Sequence, residues 1–173
     1  MEHCCGVRAP WTFAALVVLL AGCGVGQAEP APAEFRTGPP PWNAPRDAVS
    51  YIDASGLERL PLDFRGSAPY TIRLTVTVDG AKVVVPGNIG IDRLRAEQAS
   101  IHTHADDGIV CLEPKATDER ATLKQFFMLW GVRYDAKCLG DACGGVQVLV
   151  DGEPDAWNGP LRPEAAVIVA AKH

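Results

Sequence analysis

The stretch "YTIRLTVTVDGAKVVVPG", residues 70–87, decides the fold. In its first half Ile72, Leu74, Val76 and Val78 alternate with threonines and Arg73. Alternation with period two in a segment rich in β-branched residues is typical of a half-buried strand. An Asp-Gly pair at 79–80 favours a tight hairpin turn, and the valines after it predict the returning strand. The stretch therefore predicts an antiparallel hairpin with one apolar face.

Two stretches nearer the C-terminus repeat this pattern. "VQVLVDGEP", residues 146–154, again alternates apolar residues and then reaches Asp-Gly, so it predicts a second hairpin. "EAAVIVAAK", residues 164–172, predicts a final strand. The chain therefore has strand signals before residue 88 and after residue 145.

A helix is predicted between the two hairpins, in "TLKQFFMLWG", residues 122–131. Leu123, Phe126, Phe127 and Trp130 follow the spacing i, i+3, i+4 and i+7, which gives one apolar face. Thr122 is a candidate N-cap, and the glycine at 131 stands where a helix commonly ends. We interpret the aromatic residues as core that packs against a sheet, rather than as a cofactor pocket.

Strands, one helix and strands again indicate an α+β fold. We predict a small, mostly antiparallel sheet with one packed helix, in a β-grasp-like arrangement with an additional hairpin inserted before the helix. The alternative is a small β-sandwich with one helix laid across it.

The N-terminus has the pattern of an export signal. Trp11 to Leu20 is an almost purely apolar run, about half the length of a membrane-spanning helix. It ends in "LAGC", which resembles the lipobox of bacterial lipoproteins. That resemblance implies a signal peptide over residues 1–22 and a lipidated Cys23 carrying diacylglyceryl and palmitate-type acyl chains. It also implies a stable anchor on the extracytoplasmic face of a cell membrane.

The segment after this cysteine, residues 23–49, is rich in proline and lacks apolar periodicity. It is predicted to be a tether, with Trp42 as a residue that could dock on the domain. Residues 50–173 are then a single domain with one core. The net charge is −5 without any lysine or arginine cluster, so the sequence excludes an electrostatic nucleic-acid interface. The expected partners are the membrane, through the lipid, and another envelope protein.

The candidate functional residues lie in "SIHTHADDGIVCLEP", residues 100–114. It predicts two short strands joined by "ADDG". Residues i and i+2 of a strand share a face, so His102 and His104 point the same way. An even loop puts Cys111 and Glu113 on that face as well, with His102 opposite either Glu113 or Cys111. A three-residue loop would place Cys111 opposite Thr103 instead.

Two imidazoles with a thiolate or carboxylate at cross-strand distance are donors for Zn²⁺ or a copper ion. The first hypothesis is therefore a membrane-anchored binding or interaction module that holds a transition metal and is not an enzyme. A second hypothesis is a hydrolytic enzyme in which His102 or His104 is the general base and Asp106 or Asp107 orients it. A third is a purely structural envelope lipoprotein with a polar hairpin. No catalytic residue is assigned.

Four segments in order, "VDGAKVVVPGNIGID", "IHTHADDGIVCLEP", "TLKQFFMLWGV" and "VQVLVDGEP", are similar to a family of uncharacterised bacterial secreted proteins and lipoproteins. That family has the pattern "HTHDxSGxIHVE" followed by "TLGQFFxxWG", and the resemblance covers residues 67–150. Its repeated histidines imply a metal-related role. His102, His104 and Glu113 match the pattern, whereas Cys111 replaces a histidine. Tyr70 and Ile72 replace a first His-x-His pair, so the implied site is partly lost or is ligated through Cys111.

Cys138 and Cys143 flank "LGDA" in a glycine-rich connection. Outside the cytoplasm, neighbouring thiols usually pair. We predict a disulfide between these two cysteines that closes a short loop; the alternatives are two free thiols or a separate metal site. Cys111 is then unpaired, and an unpaired thiol in an oxidising compartment has to be buried, bound to a metal or bound to a partner.

Overall fold

The computed structural model describes residues 29–173. It contains two helices and ten strands: α1 (Ala48–Ser55), β1 (Leu60–Pro61), β2 (Tyr70–Val78), β3 (Ala81–Val83), β4 (Ile91–Asp92), β5 (Glu97–Gln98), β6 (Ile101–His102), β7 (Ile109–Leu112), α2 (Leu123–Trp130), β8 (Val146–Val150), β9 (Glu153–Asp155) and β10 (Ala166–Ala171). The predicted α+β class is confirmed. Within residues 29–173, no helix is long and apolar enough to cross a bilayer.

The main sheet has the strand order β6-β7-β2-β10-β8-β9, with β3 beside β2. The last strand, β10, lies parallel to β2, and the other strand pairs are antiparallel. Two hairpins, β2–β3 and β8–β9, thus flank the helix α2 in sequence, while β10 lies between them in space. This is the predicted β-grasp-like order, and β4 to β7 form the insertion before α2. The other sheet is a ribbon of two-residue strands, β1-β5-β4, so the alternative sandwich is not observed in this part of the chain.

The alternation in β2 places its apolar side chains as predicted. Ile72, Leu74, Val76 and Val78 are buried in the core, while Arg73 is exposed. Both Asp-Gly pairs adopt positive φ at the two turn positions, with values of 50° and 80° at 79–80 and of 54° and 89° at 151–152. Two positive φ angles are what a tight hairpin turn of this type requires, and Asp-Gly tolerates them.

Helix α2 begins and ends where the sequence predicted. Thr122 forms a capping box with Gln125, in which each side chain accepts a hydrogen bond from the other residue's backbone N–H. Gly131 ends the helix with a left-handed φ of 67°. The predicted face, Leu123, Phe126, Phe127 and Trp130, is buried within the same core cluster as the apolar side chains of β2, so it packs as core.

The structure differs from the prediction in having a second helix, α1, which contains the predicted domain boundary at Ser50. The helix has no side-chain N-cap and is only eight residues long, so it depends on packing rather than on propensity. Ala48, Val49 and Ile52 are buried, and α1 packs against α2. The folded domain therefore begins before residue 50.

Part of the predicted tether is also packed. Trp42 is buried, with its ring edge-on to Trp130 at a centroid distance of 5.7 Å. Arg36 forms backbone hydrogen bonds with the Gly131 carbonyl and the Arg133 amide, which extends the contact along the end of α2. The docking of Trp42 is thus observed, whereas residues 36–49 do not behave as a free linker. The predicted signal peptide and Cys23 lie outside the described residues.

Candidate metal centre

The inserted hairpin β6–β7 carries the candidate residues. His102 pairs directly with Cys111, and Ile101 pairs with Leu112. This register corresponds to the even, four-residue loop, and it places His102 and Cys111 on one face. Strand β7 is held on its other side by β2, so Cys111 stands on a strand next to the centre of the main sheet.

The side chains of three predicted residues converge. One donor atom from each of His102, His104 and Cys111 lies within 4.8 Å of the other two. The Nε2 atoms of His102 and His104 are 3.2 Å apart, which is a hydrogen-bond distance, and their rings meet edge to face. Two nitrogens bound to one tetrahedral Zn²⁺ at about 2.0–2.1 Å would be about 3.4 Å apart, so a single ion could replace this hydrogen bond with little movement of the two nitrogens.

The tautomer of His102 is set by the protein. Its Nδ1 lies 3.0 Å from the Ala99 carbonyl oxygen, which can only accept, so Nδ1 carries the proton and donates it. Nε2 of the neutral ring then presents a lone pair toward His104 and Cys111. Metal-binding histidines are commonly oriented in this way, by a hydrogen bond from the second ring nitrogen to a carbonyl.

Burial favours the neutral ring at His102. The side chain is almost fully buried, and loss of solvation lowers the pKa of His102 below its ordinary value despite the hydrogen bond to Ala99. The pKa of the half-buried Cys111 thiol is raised, mainly by burial and then by the charges of Glu113 and Asp107. In the metal-free protein the sulfur is therefore protonated, and a metal ion would have to displace that proton.

Glu113 shares the predicted face but is engaged elsewhere. Its backbone N–H donates to the Ser100 carbonyl at 2.7 Å, which continues the hairpin register. Its carboxylate accepts a hydrogen bond from Gln98 Nε2 at 3.1 Å and lies 3.8 Å from Arg65 Nη1. The group of three donors does not include Glu113, so the structure brings together three of the four predicted ligands.

Neither aspartate orients a histidine through the hydrogen bonds it makes here. Asp106 Oδ1 accepts from the Gly87 amide at 2.7 Å, and Asp107 Oδ1 accepts from the Ile109 amide at 2.9 Å. Both carboxylates thereby shape the loop. In the enzyme hypothesis one of these aspartates orients the catalytic histidine. For His102, the Ala99 carbonyl orients the ring instead.

The strand that carries the histidines changes partners directly after His102. Thr103 donates its N–H to the Ile89 carbonyl at 3.1 Å, and its own carbonyl accepts from the Asn88 amide at 2.8 Å. Gly87 lies so close that an added Cβ would be 2.7 Å from the His104 carbonyl oxygen. The segment 87–89 therefore fixes the backbone at His104. The side chain of His104 is exposed.

A cavity of about 590 Å³ lies beside this segment, bordered by Gly87, Asn88 and Asp106, by residues 43–46 and by Arg93. Its lining does not include the three donor residues. It therefore adjoins the loop of the hairpin rather than the metal-binding atoms.

The predicted disulfide between Cys138 and Cys143 is present, and Cys111 is free. Sequence reasoning missed Ala99, Gln98 and Arg65 around the site. Backbone carbonyls leave no sequence signal, and the two side chains come from other segments. Comparison of the chain with protein-family models, with curated proteins and with solved structures finds no match.

Proposed function

We propose that this protein is a membrane-anchored extracytoplasmic module that binds one zinc or copper ion through His102, His104 and Cys111. The observation that carries the proposal is the convergence of these donors within 4.8 Å, with the tautomer of His102 already set for ligation. A thiol beside two imidazole nitrogens is a donor set for zinc and copper rather than for magnesium or calcium. The proposal also supplies a reason for an unpaired cysteine outside the cytoplasm.

Metal analysis and titration test this proposal. Protein purified without chelator should contain about one equivalent of zinc or copper. After the metal is stripped, calorimetric titration with Zn²⁺ should show one site. His104→Ala should remove most of the binding, because it deletes an exposed donor without touching the core. His173→Gln is the matched control, since His173 pairs with Asp79 far from the hairpin in sequence. Equal affinity in His104→Ala and the unmodified chain would contradict the assignment.

The anchor is a separate part of the proposal and has its own test. Cys23→Ser should leave the precursor unprocessed and release or mislocalise the protein, as judged by fractionation and by mass spectrometry of the N-terminus. Cys5→Ser is the control, because Cys5 lies in the segment that processing would remove. Membrane retention and normal processing of Cys23→Ser would end the claim.

Lipidation at Cys23 would hold the domain close to the bilayer. The hydroxyl of Ser50 in α1 donates to the Ala31 carbonyl at 2.5 Å, so the chain already contacts the domain at residue 31. The eight residue-to-residue steps from position 23 to position 31 span at most about 29 Å. The module would therefore act at the membrane surface rather than at the end of a long tether.

A metal-dependent hydrolase is the second candidate function. Three protein ligands leave one position of a tetrahedral ion open for water, as in catalytic zinc sites. A hydrolase screen with ester, amide and phosphate substrates, run with and without Zn²⁺, tests it. Turnover that requires Zn²⁺ and is lost in His104→Ala would favour the enzyme. A chain that binds no metal and has no activity would instead fit a structural lipoprotein.

A further inference from the structure

We infer that the metal of this site is copper, held by the three protein donors in both oxidation states, so that the protein carries one electron. The inference rests on the proposed metal-binding function and goes further by naming the ion and its chemistry. The donor set is two imidazole nitrogens and one thiolate, from His102, His104 and Cys111. Trigonal sites with this donor set characterise the copper proteins that transfer electrons.

The position of Glu113 leaves three protein donors at this site. A structural zinc site needs a fourth protein ligand, and Glu113 is the carboxylate on the same face. Its oxygens are instead directed to Gln98 and Arg65. Three donors satisfy Cu⁺, whereas Zn²⁺ would have to keep a water molecule in the fourth position.

The framework around the donors resists rearrangement, which is what a centre that changes oxidation state requires. His102 is buried and tied to Ala99, and its strand is paired with β7. Gly90 packs against the same strand so closely that a Cβ there would lie 2.6 Å from the Ile101 carbonyl oxygen. The backbone positions of His102 and Cys111 are therefore fixed. His104, the exposed donor, is constrained by the backbone hydrogen bonds of Thr103.

The electron balance of the step is simple. Cu²⁺ bound by the thiolate and two imidazoles accepts one electron and becomes Cu⁺, with no ligand released and no proton moved. The electron comes from a one-electron donor protein in the cell, and from ascorbate in the test, where one ascorbate reduces two sites and becomes dehydroascorbate. Ferricyanide, reduced to ferrocyanide, reverses the step.

The test uses the full chain, stripped of metal, with the Cys111 thiol shown to be free by thiol titration. One equivalent of Cu²⁺ is added without oxygen, and absorption and electron paramagnetic resonance spectra are recorded. We expect an intense visible band from sulfur-to-copper charge transfer and a small copper hyperfine splitting. Ascorbate should bleach the band, and ferricyanide should restore it. Cys111→Ser should abolish it, while Glu113→Gln and His173→Gln should keep it.

Three results would overturn the inference. The first is a spectrum of tetragonal copper, with large hyperfine splitting and no intense visible band. The second is oxidation of two Cys111 thiolates by two Cu²⁺ ions to a disulfide-linked dimer and two Cu⁺. The third is loss of the band in Glu113→Gln, which would make Glu113 a ligand. If Zn²⁺ still binds at one site in these cases, the proposed function stands and only the copper inference fails. If neither ion binds, both fail.

Discussion

Replacing Trp42 by alanine would measure how far the N-terminal segment belongs to the folded domain. The Trp42 side chain is buried against α2, and its Nε1 donates to the Gly38 carbonyl at 3.0 Å. In a second hydrogen bond, the Trp42 carbonyl accepts from Trp130 Nε1 at 2.9 Å. Gly140 closes the pocket, since a Cβ there would lie 2.5 Å from the Trp42 ring. The indole therefore fills a tightly bounded site.

The size of the effect follows from this burial. Truncation of a buried tryptophan costs about 3–5 kcal/mol, which includes the cavity that it leaves. The edge-to-face contact with Trp130 accounts for about 0.5–1.5 kcal/mol of aromatic interaction beyond the buried area. A domain of this size has a free energy of unfolding of about 5–15 kcal/mol. We expect the thermal midpoint of Trp42→Ala to fall by about 10–20 °C.

Urea denaturation and calorimetry, on the same preparations, provide the measurement. Phe35→Ala is a control on the same segment, because Phe35 is 38% exposed and makes one edge contact with Tyr51. Phe35→Ala should lower the free energy of unfolding by about 1 kcal/mol. If Trp42→Ala stays within about 1 kcal/mol of the unmodified chain, the reasoning is refuted, and the segment before α1 is a tether after all.

Three further predictions concern parts of the fold outside the metal site. Replacing Cys138 and Cys143 together by serine should lower the free energy of unfolding by about 2 kcal/mol, a modest loss because the two cysteines are only five positions apart and close a short loop. Non-reducing peptide mapping should find this disulfide in the unmodified chain. Thr122→Ala should lower the free energy of unfolding by about 1 kcal/mol, measured with denaturant, because it removes the capping box. Thr122→Ser should keep most of that stabilisation. The hydrogen bond with Asp79 raises the pKa of His173, so its stabilising effect should be fully present below the unfolded-state value near 6.5 and be lost as the pH rises through the raised value. The difference in thermal midpoint between the unmodified chain and His173→Gln should therefore shrink toward high pH, and a constant difference would refute this reading.

Local patterns in the sequence determined the regular elements of this fold. Alternation from Ile72 to Val78 set which side of β2 is buried, because successive side chains of a strand point to opposite faces. The Asp-Gly pairs determined both tight turns, since those positions need positive φ. The helical spacing and the capping residues determined α2 to the residue. Strand parity predicted that His102 and Cys111 share one face if the loop is even, and the observed pairing of His102 with Cys111 has that register.

Tertiary structure alone decided the helix α1 and the packing of the segment before it. The sequence "AVSYIDAS" is short and follows prolines, so its propensity signal is weak. Contact with α2 stabilises α1. The periodicity of a sequence reveals an apolar face, but it does not reveal which element will pack against that face. Arg36 and Trp42 likewise owe their places to the end of α2, which is about 90 residues away in sequence.

The candidate metal centre was likewise determined partly by the sequence and partly by the tertiary structure. Sequence determined which residue types could bind a metal and which face they share. Only the folded chain decided that the Ala99 carbonyl sets the tautomer of His102, that Gln98 and Arg65 hold Glu113 apart, and that residues 87–89 fix the backbone at His104. The physical reason is that side-chain type and spacing encode local geometry, whereas hydrogen bonds to backbone groups and contacts between distant segments exist only after the chain has packed.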